Sequence, residues 1–291
     1  MPATETGILG QPGTHWRLAT ADRVALLVDG AAYFAALAAA MERARHSIMI
    51  LGWDIRSDLL LEPERSAETF AERCRRLLDA KPGLQICLLV WDWLITMSLD
   101  REVLPQWKLA PLHDRLSFVL DDSVPVGAAL HEKVVVIDGS LAFVGGIDLS
   151  AGRWDTPAHD PKSRHRRPAN GGEPPAPFHD MMLLVDGAAG RAVAELAVER
   201  WQRATDERIT LAPDDAEVPW PRGVGVDLEG QRLAIARTRP CYAEAPEVRE
   251  IEALYLASIE AAERLIYIEN QYLTVPKIRR STSRASKRRS G

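Results

Sequence analysis

The stretch ALHEKVVVIDGSLAFVGGIDLS, Ala129 to Ser150, decides the fold. KVVVID and LAFVG are short β-branched and aromatic runs, and Asp138-Gly139-Ser140 lies between them. Asp-Gly is a strong tight-turn signal, so the stretch predicts a β-hairpin. Side chains alternate along a strand, which puts His131, Lys133, Val135 and Ile137 on one face. His131 and Lys133 are then about 7 Å apart, close enough to converge on one small anion. Asp138 points to the other face, where its job is structural or supporting.

Working outward, strands alternate with helices. VALLV (24–28) reads as a buried strand, Ala31 to Arg45 as a helix and HSIMILGW (46–53) as a strand. A helix over 66–79 ends at Lys81-Pro82-Gly83, and LQICLLVWDW follows as a buried strand. A helical stretch follows Asp100, and LSFVLDD is a further strand. Beyond the hairpin, residues 156–178 are rich in Pro, Gly and charge and read as a long surface loop. DMMLLVDG is a strand, Ala188 to Arg203 a helix, and most of 205–240 loop. Alternation of this kind predicts an α/β class, an α+β sandwich with a central mixed sheet flanked by helices. Pro246 to Arg264 followed by LIYIENQYL repeats the earlier helix–strand unit, as the start of a second copy.

Composition narrows the class. The chain has 291 residues, 46% hydrophobic and 26% charged, as in a water-soluble globular protein. No window approaches a membrane span, and the first residues lack a signal-peptide pattern, so the expected location is cytoplasmic, with contact at a membrane surface at most. Cys74, Cys87 and Cys241 show no metal spacing and read as thiols in a reducing compartment. The net charge is −5, but the last 15 residues carry seven Lys or Arg and no acid. Without them, 29 basic residues (36 less 7) face 41 acidic ones. An acidic body repels a polyanion, which argues against a specific nucleic-acid partner. The basic tail reads as a solvated, disordered end.

The hairpin carries the chemistry. A Lys ammonium neutralises phosphoryl oxygens as a point charge. A neutral imidazole attacks phosphorus or moves a proton near neutral pH. Gly145-Gly146 allows close backbone approach to a ligand, and Asp148 stands where a polar side chain could finish the cradle. His159-Asp160, His165 and His179-Asp180 fall mostly in the long loop. They are not expected to bind a metal, and His179-Asp180 reads as setting the strand that follows. Trp53, Trp91, Trp93 and Trp154 fall at strand ends, where they could ring a pocket or pack in the core.

The whole string, His131-x-Lys133, four apolar residues, Asp138, then Gly145-Gly146-x-Asp148, resembles the HKD signature of the phospholipase D superfamily. It is most similar to the eukaryotic-type branch, including Gly152-Arg153-Trp154-Asp155. LVDGAAYFAALAAAMERARHSIMILGWD, PFHDMMLLVDG with the following ERW, and IENQYL extend the likeness over roughly Arg23 to Leu273. The resemblance implies catalytic roles for His131, Lys133 and Asp138, with Asp138 supporting the motif. It also implies phosphate binding by Lys133, Gly146 and Asp148, a phosphohistidine intermediate, and no metal or other cofactor.

The expected organisation is an N-terminal extension (1–22), a phospholipase D-like lobe (23–205), a connecting segment (206–245), the start of a second repeat (246–275) and a basic tail (276–291). None of the other six histidines has Lys two positions on, so the second motif is missing and the second lobe reads as truncated. The expected partner is a phospholipid, with a homodimer as one route to a second histidine. Asn270 and Gln271 could line the junction between repeats or make structural hydrogen bonds. Alternatives of the same chemistry are a cardiolipin-synthase-type transferase and a nuclease with this motif. A non-catalytic phosphate- or anionic-lipid-binding fragment is the alternative of another class.

Overall fold

The computed structural model describes residues 7–92, 102, 105–166, 173–209, 219–270 and 275–287. The chain divides into a larger unit, 20–231, and a smaller one formed by 1–19 and 232–291.

The strands are β1 (Arg17–Val28), β2 (Ser47–Gly52), β3 (Gln85–Trp91), β4 (Leu116–Asp121), β5 (Lys133–Ile137), β6 (Leu141–Gly145), β7 (Met181–Val185) and β8 (Leu228–Ile235). They form one mixed sheet in the order β4-β3-β2-β5-β6-β7-β1-β8. β2, β3 and β4 are parallel, as helical crossovers permit, while β5, β6, β7 and β1 continue the sheet antiparallel. β5 is the strand where the two halves meet. It pairs antiparallel with β2 on one side and with β6 on the other, with Ile48 opposite Ile137 and Val135 opposite Phe143.

Alternation along the strands builds two apolar faces. Ile48, Ile50, Ile86, Leu88, Val135, Ile137 and Phe143 pack with Phe34, Leu37 and Met41 of α1 (Asp29–Arg43) and with Phe70, Cys74, Leu77 and Leu78 of α2 (Phe70–Ala80). α2 begins in a capping box between Thr69 and Glu72, which satisfies two N-terminal donors reciprocally. The short α3 (Pro105–Leu109) precedes β4. On the opposite face α4 (Gly187–Thr205) packs against β4, β5 and β6. A Cβ at Gly190 would collide with the carbonyl oxygen of Ser140, so glycine is what brings α4 down onto the β5–β6 turn.

One carboxylate fixes the register at that turn. Asp138 adopts a left-handed backbone (φ 47°), which Asp tolerates better than most residues. Its Oδ1 accepts from the N–H groups of His46 (2.7 Å) and Ser47 (2.8 Å), and its Oδ2 from Arg45 N–H (2.8 Å). Asp138 N–H in turn donates to Ser47 O at 2.9 Å. The side chain thus closes the link between α1 and β2 and locks that link to β5.

The smaller unit contains β9 (Thr238–Arg239), β10 (Val248–Arg249), α5 (Glu250–Ala261) and α6 (Pro276–Lys287). Arg237 grips Glu250 at 2.7 Å, and Lys277 reaches Glu252 at 2.8 Å. Two expectations are corrected here, and within the mostly loop-like 205–240 LEGQRLAI forms β8, which the sequence reading did not name. Residues 265–270 of LIYIENQYL are not a strand, and Gln271 to Leu273 lie outside the described residues. An isolated apolar run has no ladder to join: Leu265 and Tyr267 are 81% and 78% exposed, whereas its counterpart β2 is buried between β3 and β5. The tail is helical over Pro276–Lys287 rather than disordered, with Ile278 buried and Lys277 paired.

Asp138→Ala is expected to lower stability by about 3 kcal/mol, since three backbone donors lose a charged acceptor. Asp138→Asn keeps the Oδ1 contacts and should cost about 1 kcal/mol. Urea denaturation of the two variants checks this; equal losses would mean that the carboxylate is not the clamp.

Candidate functional site

The parallel strands β2, β3 and β4 all end on the same side of the sheet, at Gly52, Trp91 and Asp121. Ligands of open α/β sheets collect at such carboxyl ends. β5 runs the other way, so its first residue, Lys133, arrives beside them. Its side chain shares the face of Val135 and Ile137.

Lys133 is buried, and its Nζ is 2.8 Å from Asp148 Oδ2 and donates to His131 O at 3.0 Å. Asp148 is buried as well, and its Oδ1 accepts from Trp53 N–H (2.9 Å) and Asp54 N–H (3.3 Å). The carboxylate therefore joins the start of β5 to the end of β2. Gly52 fits here because its Cα lies against the Asp148 carboxylate: a Cβ would sit 3.3 Å from Oδ1.

His131 lies in the extended segment before β5, which starts only at Lys133. The sequence reading put His131 on the strand itself; the ladder stops short because Lys133 already faces Gly145, the last residue of β6. The imidazole meets the Trp53 ring edge-on at 4.9 Å, and Trp53 meets Trp91 at 4.5 Å. Lys133 Nζ stands 5.8 Å from the Trp53 centroid, so one indole borders both the imidazole and the ammonium. Desolvation lowers the pKa of His131, and the Lys133 charge lowers it further. Desolvation also lowers that of Lys133, against the pull of Asp148. The result is an imidazole biased to its neutral, nucleophilic form beside a held cation.

The other predicted residues fall out differently. Asp138 is at the far end of β5 from His131 and acts on backbone, as described above. Gly146 donates its N–H to Met181 O at 3.1 Å, and a Cβ there would run into the Asp180 carboxylate. Gly145 is packed just as tightly on Met181 and Met182. In this structure the glycine pair serves the close approach of β7. Trp154 is buried against His165, at 5.7 Å between rings, away from the Trp53–Trp91 pair in its contacts. Trp93 and Gln271 lie outside the described residues. Asn270 donates to the Tyr255 hydroxyl at 3.4 Å.

A second polar cluster was not legible as one. Asp29, His159 and His179 bring one ligand atom each to within 4.8 Å of one another, a set of donors that could hold a cation. His179 Nδ1 is 2.7 Å from Asp29 Oδ1, and His159 Nε2 is 3.6 Å from Asp29 Oδ2. Asp29 is fully buried with φ 65° at the start of α1, and its Oδ2 has no hydrogen-bond partner among the described residues. Asp155 steadies the cluster from behind, accepting from Thr156 N–H, Phe178 N–H and Arg166 and contacting His159 Nδ1 at 3.2 Å. The sequence places the histidines mostly in the long loop and gives no sign that Asp29 joins them. Only the spacing of three separate segments in space unites them.

The Phospholipase D family profile matches residues 113–224. Phospholipase D A of Dictyostelium discoideum is 29% identical over 279 residues, 85% of this chain and 21% of that protein. Phospholipase D zeta 1 of Arabidopsis thaliana is 30% identical over 223 residues, 66% of this chain and 20% of that protein. The chain thus spans about a fifth of the length of these relatives. Among solved structures, NucT from Helicobacter pylori is 13% identical with a TM-score of 0.41, covering 67% of this chain and 100% of its own.

Two outcomes are expected. Asp148→Ala leaves a buried ammonium without its carboxylate and should cost about 3 kcal/mol or more of stability. His131 has a depressed pKa when folded, so unfolded chains bind the proton more readily. Its contribution is therefore fully present above about pH 6.5 and is lost as pH falls through the lower folded pKa. Relative to His131→Asn, the wild-type chain should lose stability between pH 7.5 and 5.5 in denaturant titrations. A difference that does not change with pH would contradict the assignment.

Proposed function

The chain belongs to the phospholipase D superfamily, and on that premise we propose that it carries the His131 half of a phospholipase D-type phosphodiester site. The carrying observation is the imidazole of His131 held in its neutral bias beside the Lys133 ammonium, both against Trp53. A phosphodiester placed there has its non-bridging oxygens on Lys133 and its phosphorus before the His131 ring. The imidazole nitrogen forms a bond to phosphorus as the bond to the leaving alcohol oxygen breaks. Water or a second alcohol then attacks phosphorus, and the N–P bond breaks. Asp148 keeps Lys133 in place and charged, and Asp138 holds β5 from its other end.

The departing alkoxide needs a proton, which the attacking imidazole cannot supply in the same step. None of the other six histidines is followed by Lys at the second position. In this proposal the second imidazole is His131 of another copy of the chain. The substrate class is a phospholipid, which the names of the relatives support. No helix among the described residues is long and apolar enough to cross a membrane.

The test uses phosphatidylcholine vesicles with ethanol, reading phosphatidylethanol and choline. Wild-type chain should form both, and His131→Ala should lower the rate by at least 1000-fold, the loss expected for removal of a covalent nucleophile. Lys133→Ala should lower it by a similar order. Activity surviving His131→Ala overturns the site. Sedimentation should show a dimer wherever turnover is seen; turnover by a monomer overturns the shared site.

A further inference from the structure

Arg200 is buried on α4, 3% exposed, and its guanidinium is not part of the proposed chemistry. Its Nε donates to Asp121 Oδ2 at 2.9 Å, and its Nη1 donates to Glu132. Asp121 is the last residue of β4 and is itself buried. Its other carboxylate oxygen takes the Ser123 N–H at 2.9 Å, and its carbonyl takes the Asp92 N–H at 2.9 Å, just after β3. Glu132 stands between His131 and Lys133. Its carboxylate turns to Arg200 on α4 while the Lys133 ammonium turns to Asp148.

We propose that Arg200 is a positioning residue that, through Glu132, fixes the backbone carrying His131 and Lys133 to the ends of β3 and β4. This deepens the site proposed above and rests on it. The geometry has a specific logic. The backbone at His131 has no strand ladder to hold it, because β5 begins at Lys133. The Lys133 contact to His131 O at 3.0 Å anchors it from one face only. The Glu132–Arg200 pair anchors it from the opposite face, and the fork of an arginine lets one buried side chain grip two carboxylates in fixed directions. Glu132 is 44% exposed, but Arg200 is buried and its Nη2 has no acceptor among the described residues, so loss of Glu132 costs some stability as well as the hold on the motif.

The experiment follows the proton titration of His131 by NMR in the full chain with labelled histidines, assigned with His131→Ala. The charged groups that act on His131 are Lys133, Asp148, Arg153 and Asp180, and none is altered in the variants. Glu132→Gln separates the two explanations. Glu132 is not among the charges that set the His131 pKa, so removing its charge alone leaves the midpoint unchanged or lowers it. Releasing the segment frees the ring from Trp53 and raises the midpoint toward about 6.5. The proposal expects a rise of at least about 0.3 pH units. It also expects the same rise in Arg200→Lys, which keeps a cation for Asp121 but loses the fork. The double variant should shift no further than either single one. A midpoint that falls or stays in Glu132→Gln overturns the proposal.

A second arm adds inorganic phosphate. Both variants should bind it at least threefold more weakly than wild type, as seen in the shifts of His131. The midpoint decides the positioning role whether or not phosphate binds. No phosphate response in wild type counts against the proposed function alone.

Discussion

The ion pair of Lys133 and Asp148 holds together the two halves of the sheet where they meet. An ammonium buried at the start of β5 has lost its water and needs a nearby negative charge. Asp148 supplies it with one oxygen and uses the other to take two backbone N–H groups just beyond β2. The pair therefore serves two ends. It makes burial of the cation tolerable, and it fixes the antiparallel strand against the parallel ones at the edge where a ligand would enter. Asp138 performs the matching task at the opposite end of β5. Between the two carboxylates the strand is apolar, with Val135, Val136 and Ile137 buried and Val134 half-buried.

That rigidity explains why a short strand can present chemistry. Reactive side chains act best when their support does not move. Here the support comes from three directions: α1 and α2 under one face, α4 on the other, and Trp53 at the rim. The same packing sets the electrostatics. Desolvation weakens the hold of His131 and Lys133 on their protons, and the Lys133 charge lowers that of His131 further. Nearby, the Asp29, His159 and His179 cluster shows the fold concentrating a second polar group under the long loop, anchored by the buried Asp155–Arg166 pair.

The sequence by itself determined the hairpin, the β2 and β3 strands, the helices α1, α2 and α4, and the segment on which His131 and Lys133 stand. These were legible because periodicity and turn chemistry are local. Asp-Gly marks its own turn, and a run such as IMIL has nowhere to go but a core. It missed β8, whose alternation is weak, and it wrongly made a strand of residues 265–270, because a ladder needs a neighbour that local sequence does not name.

Tertiary structure alone decided what the polar residues do. Gly146 gives its N–H to Met181 of β7. Asp148 pairs with Lys133 and also takes backbone N–H groups beyond β2. Asp29, at the start of α1, faces two histidines from 130 and 150 positions away. Glu132, unremarked between two reactive residues, meets an arginine of α4. Each of these depends on contacts between segments distant in the chain. A side chain's type limits which bonds it can make, but only the packed fold fixes which partner comes within about 3 Å.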